Sequence, residues 1–151
     1  MLATKNAQSN EFIEIALESS KKYADPFNEV IIDVVFTEPP GNKLCIPAFW
    51  SSNNTWRFRY SSAVLGIHHF ITECSDQHNL GLHQISGEIN ISPYSGNNPL
   101  LRHGALRIAD DSRHFAHADG TPFLWLGDTW WMGLTRRLVW PAQFKQLADD
   151  R

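Results

Sequence analysis

Basic runs are almost missing from these 151 residues: no stretch of Lys or Arg exceeds the pairs Lys21-Lys22 and Arg136-Arg137. Charged residues make up only 19% of the chain, and the formal net charge is -3. Binding a polyanion needs a clustered basic surface, so nucleic acid is not expected as a partner. Long apolar runs are missing too, and no segment is long enough to span a bilayer. Met1 to Asn10 is polar and lacks the apolar core of a secretion signal. On the sequence as given, the protein is expected in the cytoplasm and away from membranes. Cysteine is limited to Cys45 and Cys74. Both fall in strand-like segments, where small buried thiols are common, and without a secretion signal they are expected buried and free. The seven histidines show neither the His-x-x-x-His nor the Cys-rich spacing of a zinc site. Neighbours such as His68 and His69 on a strand would point to opposite faces. No metal or other cofactor is expected.

What the chain does have is period two. Ile13, Ile15 and Leu17 alternate with Glu14, Ala16 and Glu18, the mark of a half-buried strand. Val30, Ile32, Val34 and Phe36 share one face of a second strand. Pro39-Pro40-Gly41-Asn42 is a turn, with Lys43 to Phe49 as the return strand. After the polar turn Ser51-Ser52-Asn53-Asn54, Trp56, Phe58 and Tyr60 face one way and Arg57 and Arg59 the other. Further strands are expected around Gly66 to Cys74 and Glu88 to Ser92. Short strands and turns at this spacing predict an immunoglobulin-like antiparallel β-sandwich over 11–93, preceded by a flexible N-terminus over 1–10. Residues 94–104 are rich in Pro, Gly and Asn and read as a linker. Ala105 to Ala109 and His114 to His117 flank Asp110-Asp111-Ser112 as a hairpin. Phe123 to Leu126, apolar on both faces, predicts a buried strand of a parallel sheet. Pro141 then suits the first turn of a helix with Phe144, Leu147 and Ala148 on one face. The fold class expected is mainly β, with a change of architecture over 105–151.

Two groups of motifs resemble known families. Asp25-Pro26-Phe27, Pro40-Gly41, Pro47-Ala48-Phe49-Trp50 and Trp56-Arg57-Phe58-Arg59 resemble the β-sandwich family DUF5060. Arg113-His114-Phe115, Asp119-Gly120-Thr121-Pro122-Phe123 and Trp125-Leu126-Gly127-Asp128-Thr129-Trp130-Trp131 resemble the opening of an apiosidase-like (β/α)8 barrel of the DUF4038 type. The chain departs from these families at Ser51-Ser52-Asn53-Asn54, where Asp-Gly is frequent, and at Val139-Trp140, where a Ser or Thr helix cap is usual. A (β/α)8 barrel takes about 250 residues, so 105–151 reads as a hairpin and the truncated start of one.

The resemblance implies a glycoside-hydrolase-like parent acting on plant-type polysaccharide or oligosaccharide. Barrel active sites lie at the C-terminal ends of the strands. Asp128 would therefore hydrogen-bond sugar hydroxyls, and Trp130 or Trp131 would stack on a sugar face. The alternative for these three is a turn cap and rim packing. Glycoside hydrolysis needs two carboxylates flanking the scissile bond, and the resemblance puts that pair beyond residue 151. No catalytic residue is therefore assigned, and Asp149 and Asp150 are read as solvated. The expected role is an accessory β-sandwich that is not itself catalytic. The competing roles are a carbohydrate-binding module using Trp50 and Trp56 as a platform, with core packing as the simpler role for Trp56, and a structural domain. The apolar tail 123–151 predicts self-association or docking onto the sandwich.

Overall fold

The computed structural model describes residues 1–127, Thr129, Lys145, Gln146 and Asp149. The chain is mainly β, and its first part is a sandwich of two sheets. Alternation of apolar and polar residues produces the strands β2 (Ile13–Glu18), β3 (Ile32–Thr37), β6 (Thr55–Tyr60), β7 (Gly66–Cys74) and β8 (Ser86–Ser92). The three-stranded sheet has the order β2-β6-β5, where β5 is Phe49–Ser52. The five-stranded sheet runs β1-β8-β7-β3-β4, where β1 is Lys5–Gln8 and β4 is Lys43–Pro47. Early and late strands thus interleave, with β7 between β3 and β8 and with β6 between β2 and β5, as in immunoglobulin-like sandwiches.

The inward faces of the two sheets share one aromatic core. Phe36 of β3 stacks on Tyr60 of β6 with ring centroids 3.7 Å apart, and it meets Phe58 edge-on at 6.0 Å. Phe70 of β7 meets Phe58 at 5.2 Å. Ile15, Leu17, Val34, Leu82, Ile89 and Ile91 fill the space around these rings. Each such side chain stabilises the fold by about 1.5–3 kcal/mol when fully buried. Edge-to-face and stacked ring pairs add roughly 0.5–1.5 kcal/mol beyond the area they bury.

Several expectations are met in position and altered in detail. The segment over 1–10 is expected to be flexible, yet Lys5–Gln8 is β1 and pairs parallel with β8, so the sandwich is not wholly antiparallel. A polar strand can hold this place because backbone hydrogen bonds to β8 do not depend on apolar side chains. The single return strand over Lys43 to Phe49 is two strands in different sheets: β4 pairs with β3 and β5 with β6. The crossing falls at Pro47-Ala48, since Pro47 has no N–H to continue a ladder and Ala48 instead donates to the Ile32 carbonyl at 2.8 Å. Cys74 is buried as expected and Cys45 is exposed, and both are free. The correction for Cys45 follows from β4 lying at the open edge of its sheet. The one-turn helix α1 (Pro26–Glu29) carries no apolar period; Asp25 caps it by accepting from the Asn28 amide.

A second one-turn helix, α2 (Pro99–Arg102), leads out of the sandwich within the segment read as a linker. Next come β9 (Leu106–Ile108) and β10 (Phe115–His117), the expected antiparallel hairpin, joined at its edge by β11 (Pro122–Phe123). The buried parallel strand expected over Phe123 to Leu126 is not formed among the described residues. Phe123 pairs antiparallel with Phe115, while Leu124 and Leu126 are 83% and 86% exposed. A strand apolar on both faces needs neighbours on each side, and among the described residues only β10 lies beside it. The helix expected after Pro141 falls largely outside the described residues. Within it, exposed Asp149 accepts from Lys145 at 2.7 Å. Among the described residues, no helix is long and apolar enough to cross a membrane.

Candidate functional site

The substrate-contacting residues expected on the barrel side, Asp128, Trp130 and Trp131, lie outside the described residues. What is described is the approach to them. Asp119-Gly120 forms a tight turn in which Gly120 has φ 91° and the Thr121 amide donates to the Asp119 carboxylate at 2.9 Å. His103, capping α2, reaches the other Asp119 oxygen at 2.6 Å and so fastens the chain leaving the sandwich to the hairpin turn. The Thr121 amide, with His103 beside it, holds the Asp119 carboxyl down at about 2. Beyond the turn, Trp125 rests against Phe115 and Phe123, with centroids 5.3 and 6.3 Å away.

Two further histidines, His68 and His83, have structural partners. His68 is fully buried between the Tyr60 hydroxyl at 2.8 Å and the Val64 carbonyl at 2.9 Å. A carbonyl only accepts, so the His68 Nε2 carries the proton. Burial pushes the Tyr60 hydroxyl up to about 12. His83 Nδ1 accepts from the Cys74 amide at 3.1 Å. Among the described residues, no group of three or more His, Cys, Asp or Glu side chains is placed to hold a metal ion.

One carboxylate pair invites a catalytic reading. Asp33 and Glu73 are directly opposite on β3 and β7 and line a shared surface hollow with Ser75, His83 and Gln84. Both alternate with inward residues (Val34 and Phe36; Phe70 and Thr72), so both project from one outer face. As cross-strand neighbours they share one face of the sheet and do not stand on opposing walls of a cleft.

The two sandwich tryptophans separate cleanly. Trp56 is 2% exposed in the core and meets Tyr23 edge-on at 5.9 Å. Trp50 is 39% exposed on the edge strand β5. Its indole N–H donates to the Asn53 carbonyl at 2.9 Å across the β5–β6 turn, where Asn53 takes φ 46°. Trp50 lies directly opposite Trp56 and shares its face, but β5 is the edge of the sheet, which leaves the Trp50 ring part exposed. It forms one wall of a cleft of ≈ 690 Å³, with Tyr23 and Pro26 opposite and Lys22, Asn54 and Thr55 among its polar lining. Sequence reasoning found Trp50 and the Asn53-Asn54 turn but missed Lys22, Tyr23 and Pro26. No local signal joins them to Trp50, because the pairing of β2 with β6 is what brings the chain after Glu18 beside Thr55.

The wall carrying Lys22 and Tyr23 is pinned from behind. Asn79, fully buried, donates to Ser19 Oγ and the Tyr23 hydroxyl, both at 2.7 Å, and accepts from the Ser20 amide and hydroxyl and the Gly81 amide at 3.0–3.1 Å. Asp76 accepts from Lys21 at 2.7 Å and from Tyr23 at 2.8 Å. Lys21, then Tyr23, hold the Asp76 carboxyl at about 2 against an ordinary 3.8. A depressed carboxyl stabilises the fold above its unfolded value and loses that contribution as pH falls through the folded one. Thermal melts of the chain and of Asp76→Asn are therefore expected to differ at neutral pH and to converge between about pH 4 and pH 2. A gap of constant size down to pH 2 would contradict the network.

Comparison with known proteins fits this layout. Residues 6–75 match the model of DUF5060, a domain of unknown function, and residues 109–151 match that of the apiosidase-like catalytic domain. The crystal structure of a "putative glycoside hydrolase" from Bacteroides vulgatus ATCC 8482 superposes with TM-score 0.65 at 22% identity, covering 79% of this chain and 21% of that one. The chain thus spans about a fifth of that protein's length. A superoxide reductase (neelaredoxin) from Ignicoccus hospitalis aligns at TM-score 0.39 and 14% identity, covering 58% of this chain and 74% of that one, a likeness too slight to bear on the fold. No curated protein matches the sequence. The chain is similar, in order along its length, to a DUF5060 β-sandwich and then to the first part of an apiosidase-like glycoside hydrolase barrel.

Proposed function

We propose that this chain is the accessory β-sandwich region of a glycoside-hydrolase-like protein acting on plant-type polysaccharide or oligosaccharide, and that it does not itself hydrolyse glycosides. The observation carrying this reading is the order of the two matches: a sandwich over 6–75, then the start of a catalytic-domain family over 109–151. The His103–Asp119 contact supports a bracing role, because it fastens the chain leaving the sandwich to the hairpin that opens the second region. In this reading Asp128, Trp130 and Trp131 contact sugar in the intact parent, and the catalytic carboxylates come from later barrel strands.

The test is direct. The purified 151-residue chain, incubated with a panel of aryl-glycosides, is expected to release chromophore no faster than buffer. Turnover that survives repurification and scales with protein concentration would overturn the non-catalytic assignment.

A further inference from the structure

The Trp50 cleft combines a part-exposed aromatic face with polar groups that make no bond to other described residues. Its position in the fold matters. Strand β2 pairs with β6 from Ile13 opposite Tyr60 at one end to Glu18 opposite Thr55 at the other. The chain leading to the second region is fastened at the first end, where Asn10 donates to the Leu101 carbonyl at 2.8 Å. The cleft lies at the other end, beside Glu18 and Thr55. Six residues of strand put about 20 Å between them, so the cleft faces away from the junction.

Its lining has the chemistry of a sugar seat. Trp50 is held by its N–H bond to Asn53, so its ring is already oriented before any ligand arrives. The Lys22 ammonium and the Asn54 side-chain amide make no hydrogen bond with other described residues, and both border the cleft. Glu18 accepts from Thr55 at 2.8 Å and keeps further acceptor capacity at the floor. The facing wall is rigid, since Tyr23 is gripped by Asp76 and Asn79. A pyranose ring presents one C–H-rich face and a rim of hydroxyls. A flat indole meets the first, and a donor-and-acceptor rim meets the second.

We propose that this cleft is a carbohydrate-binding subsite in which one pyranose unit of a polysaccharide stacks on Trp50 while Lys22 and Asn54 bond its hydroxyls. The subsite rests on the reading of the parent as acting on carbohydrate, and it would hold polymer at the end of the sandwich remote from the second region. Pre-set walls reduce the ordering cost of binding, which suits a weak, non-catalytic hold.

The experiment is native electrophoresis of the 151-residue chain through gels containing xyloglucan, arabinoxylan, pectin or mixed-linkage β-glucan, beside a gel without polysaccharide. At least one polymer is expected to retard the chain. Trp50→Ala is expected to weaken that retardation about tenfold, and Asn54→Ala to weaken it less. Phe12→Ala, which changes an exposed ring at the junction end, serves as the unaffected control. Circular dichroism establishes that each variant is folded, and Asn54→Ala keeps the test alive should Trp50→Ala misfold. Retardation unchanged in Trp50→Ala and Asn54→Ala would overturn the subsite while leaving carbohydrate binding standing. Retardation by none of the four polymers would overturn the subsite without touching the accessory reading. Release of reducing ends from the gel polymer would instead sink the accessory reading and leave the Trp50 comparison intact.

Discussion

Trp56→Ala is expected to lower the unfolding free energy by about 3–5 kcal/mol, the range for truncating a buried aromatic residue. Trp56 is 2% exposed and sits mid-sheet, opposite Leu17 on one side and Trp50 on the other. Its edge contact with Tyr23 joins the three-stranded sheet to the loop that walls the cleft. Truncation removes the largest fully buried side chain among the described residues and leaves a cavity that neighbouring strands cannot close without breaking their ladders. Urea unfolding followed by tryptophan-independent circular dichroism measures this directly. A loss below about 1 kcal/mol, ordinary for a surface change, would mean that Trp56 is not a core residue. The same measurement on Trp50→Ala should give a clearly smaller loss, because that ring is already 39% exposed.

Gly81→Ala is the second large effect, and its cause lies in the backbone. A Cβ on Gly81 would stand 1.9 Å from the Glu18 carbonyl oxygen and 2.9 Å from the Ser20 amide nitrogen. Both are main-chain atoms at the end of β2, so no side-chain rotation relieves the clash. The loop cannot retreat cheaply either, because the Gly81 amide donates to Asn79, whose buried amide also secures Ser19, Ser20 and Tyr23. Overpacking of this kind costs about 1–3 kcal/mol and occasionally more. Unsatisfied buried partners around Asn79 would add about 1–3 kcal/mol. The expected outcome is a chain with a markedly lower melting temperature or one recovered only as aggregate. Gly127→Ala, where no described residue lies within 4 Å of the added carbon, should melt within a degree or two of the unsubstituted chain. Equal melting of Gly81→Ala and Gly127→Ala would refute the close approach.

Strand positions were readable where one face is buried and the other wet. The alternation at Ile13–Glu18, at Thr55–Tyr60 and at Gly66–Cys74 carries through to the observed strands. Reading faltered where pairing alone decides. Lys5–Gln8 has no apolar alternation, and its strand exists because β8 offers a free edge. The run from Lys43 to Phe49 looks continuous, yet it changes sheets at Pro47-Ala48. Phe123 to Leu126 has the composition of a doubly buried strand. Composition states only that such a segment can be covered, and coverage depends on strands from elsewhere in the chain. Of the Trp50 cleft, the sequence offered Trp50 and the Asn53-Asn54 turn but not Lys22 or Tyr23. Asp128, Trp130 and Trp131 follow from motif resemblance and lie outside the described residues.

By itself the sequence determined a mainly β chain, the order of its likenesses to DUF5060 and then to the apiosidase-like catalytic domain, and the inward set Trp56, Phe58 and Tyr60. Those properties depend on local period and on motifs read within a few neighbouring residues. Only the tertiary structure decided which tryptophan is core and which is surface. Trp50 and Trp56 pair with each other on adjacent strands, but β5 is the sheet edge and β6 its centre. Likewise, only the β2–β6 ladder brings Lys22 and Tyr23 opposite Trp50 and Asn54. A cleft joined by contacts between distant segments leaves no periodic trace in either one, because neither segment alone senses the burial that the other creates.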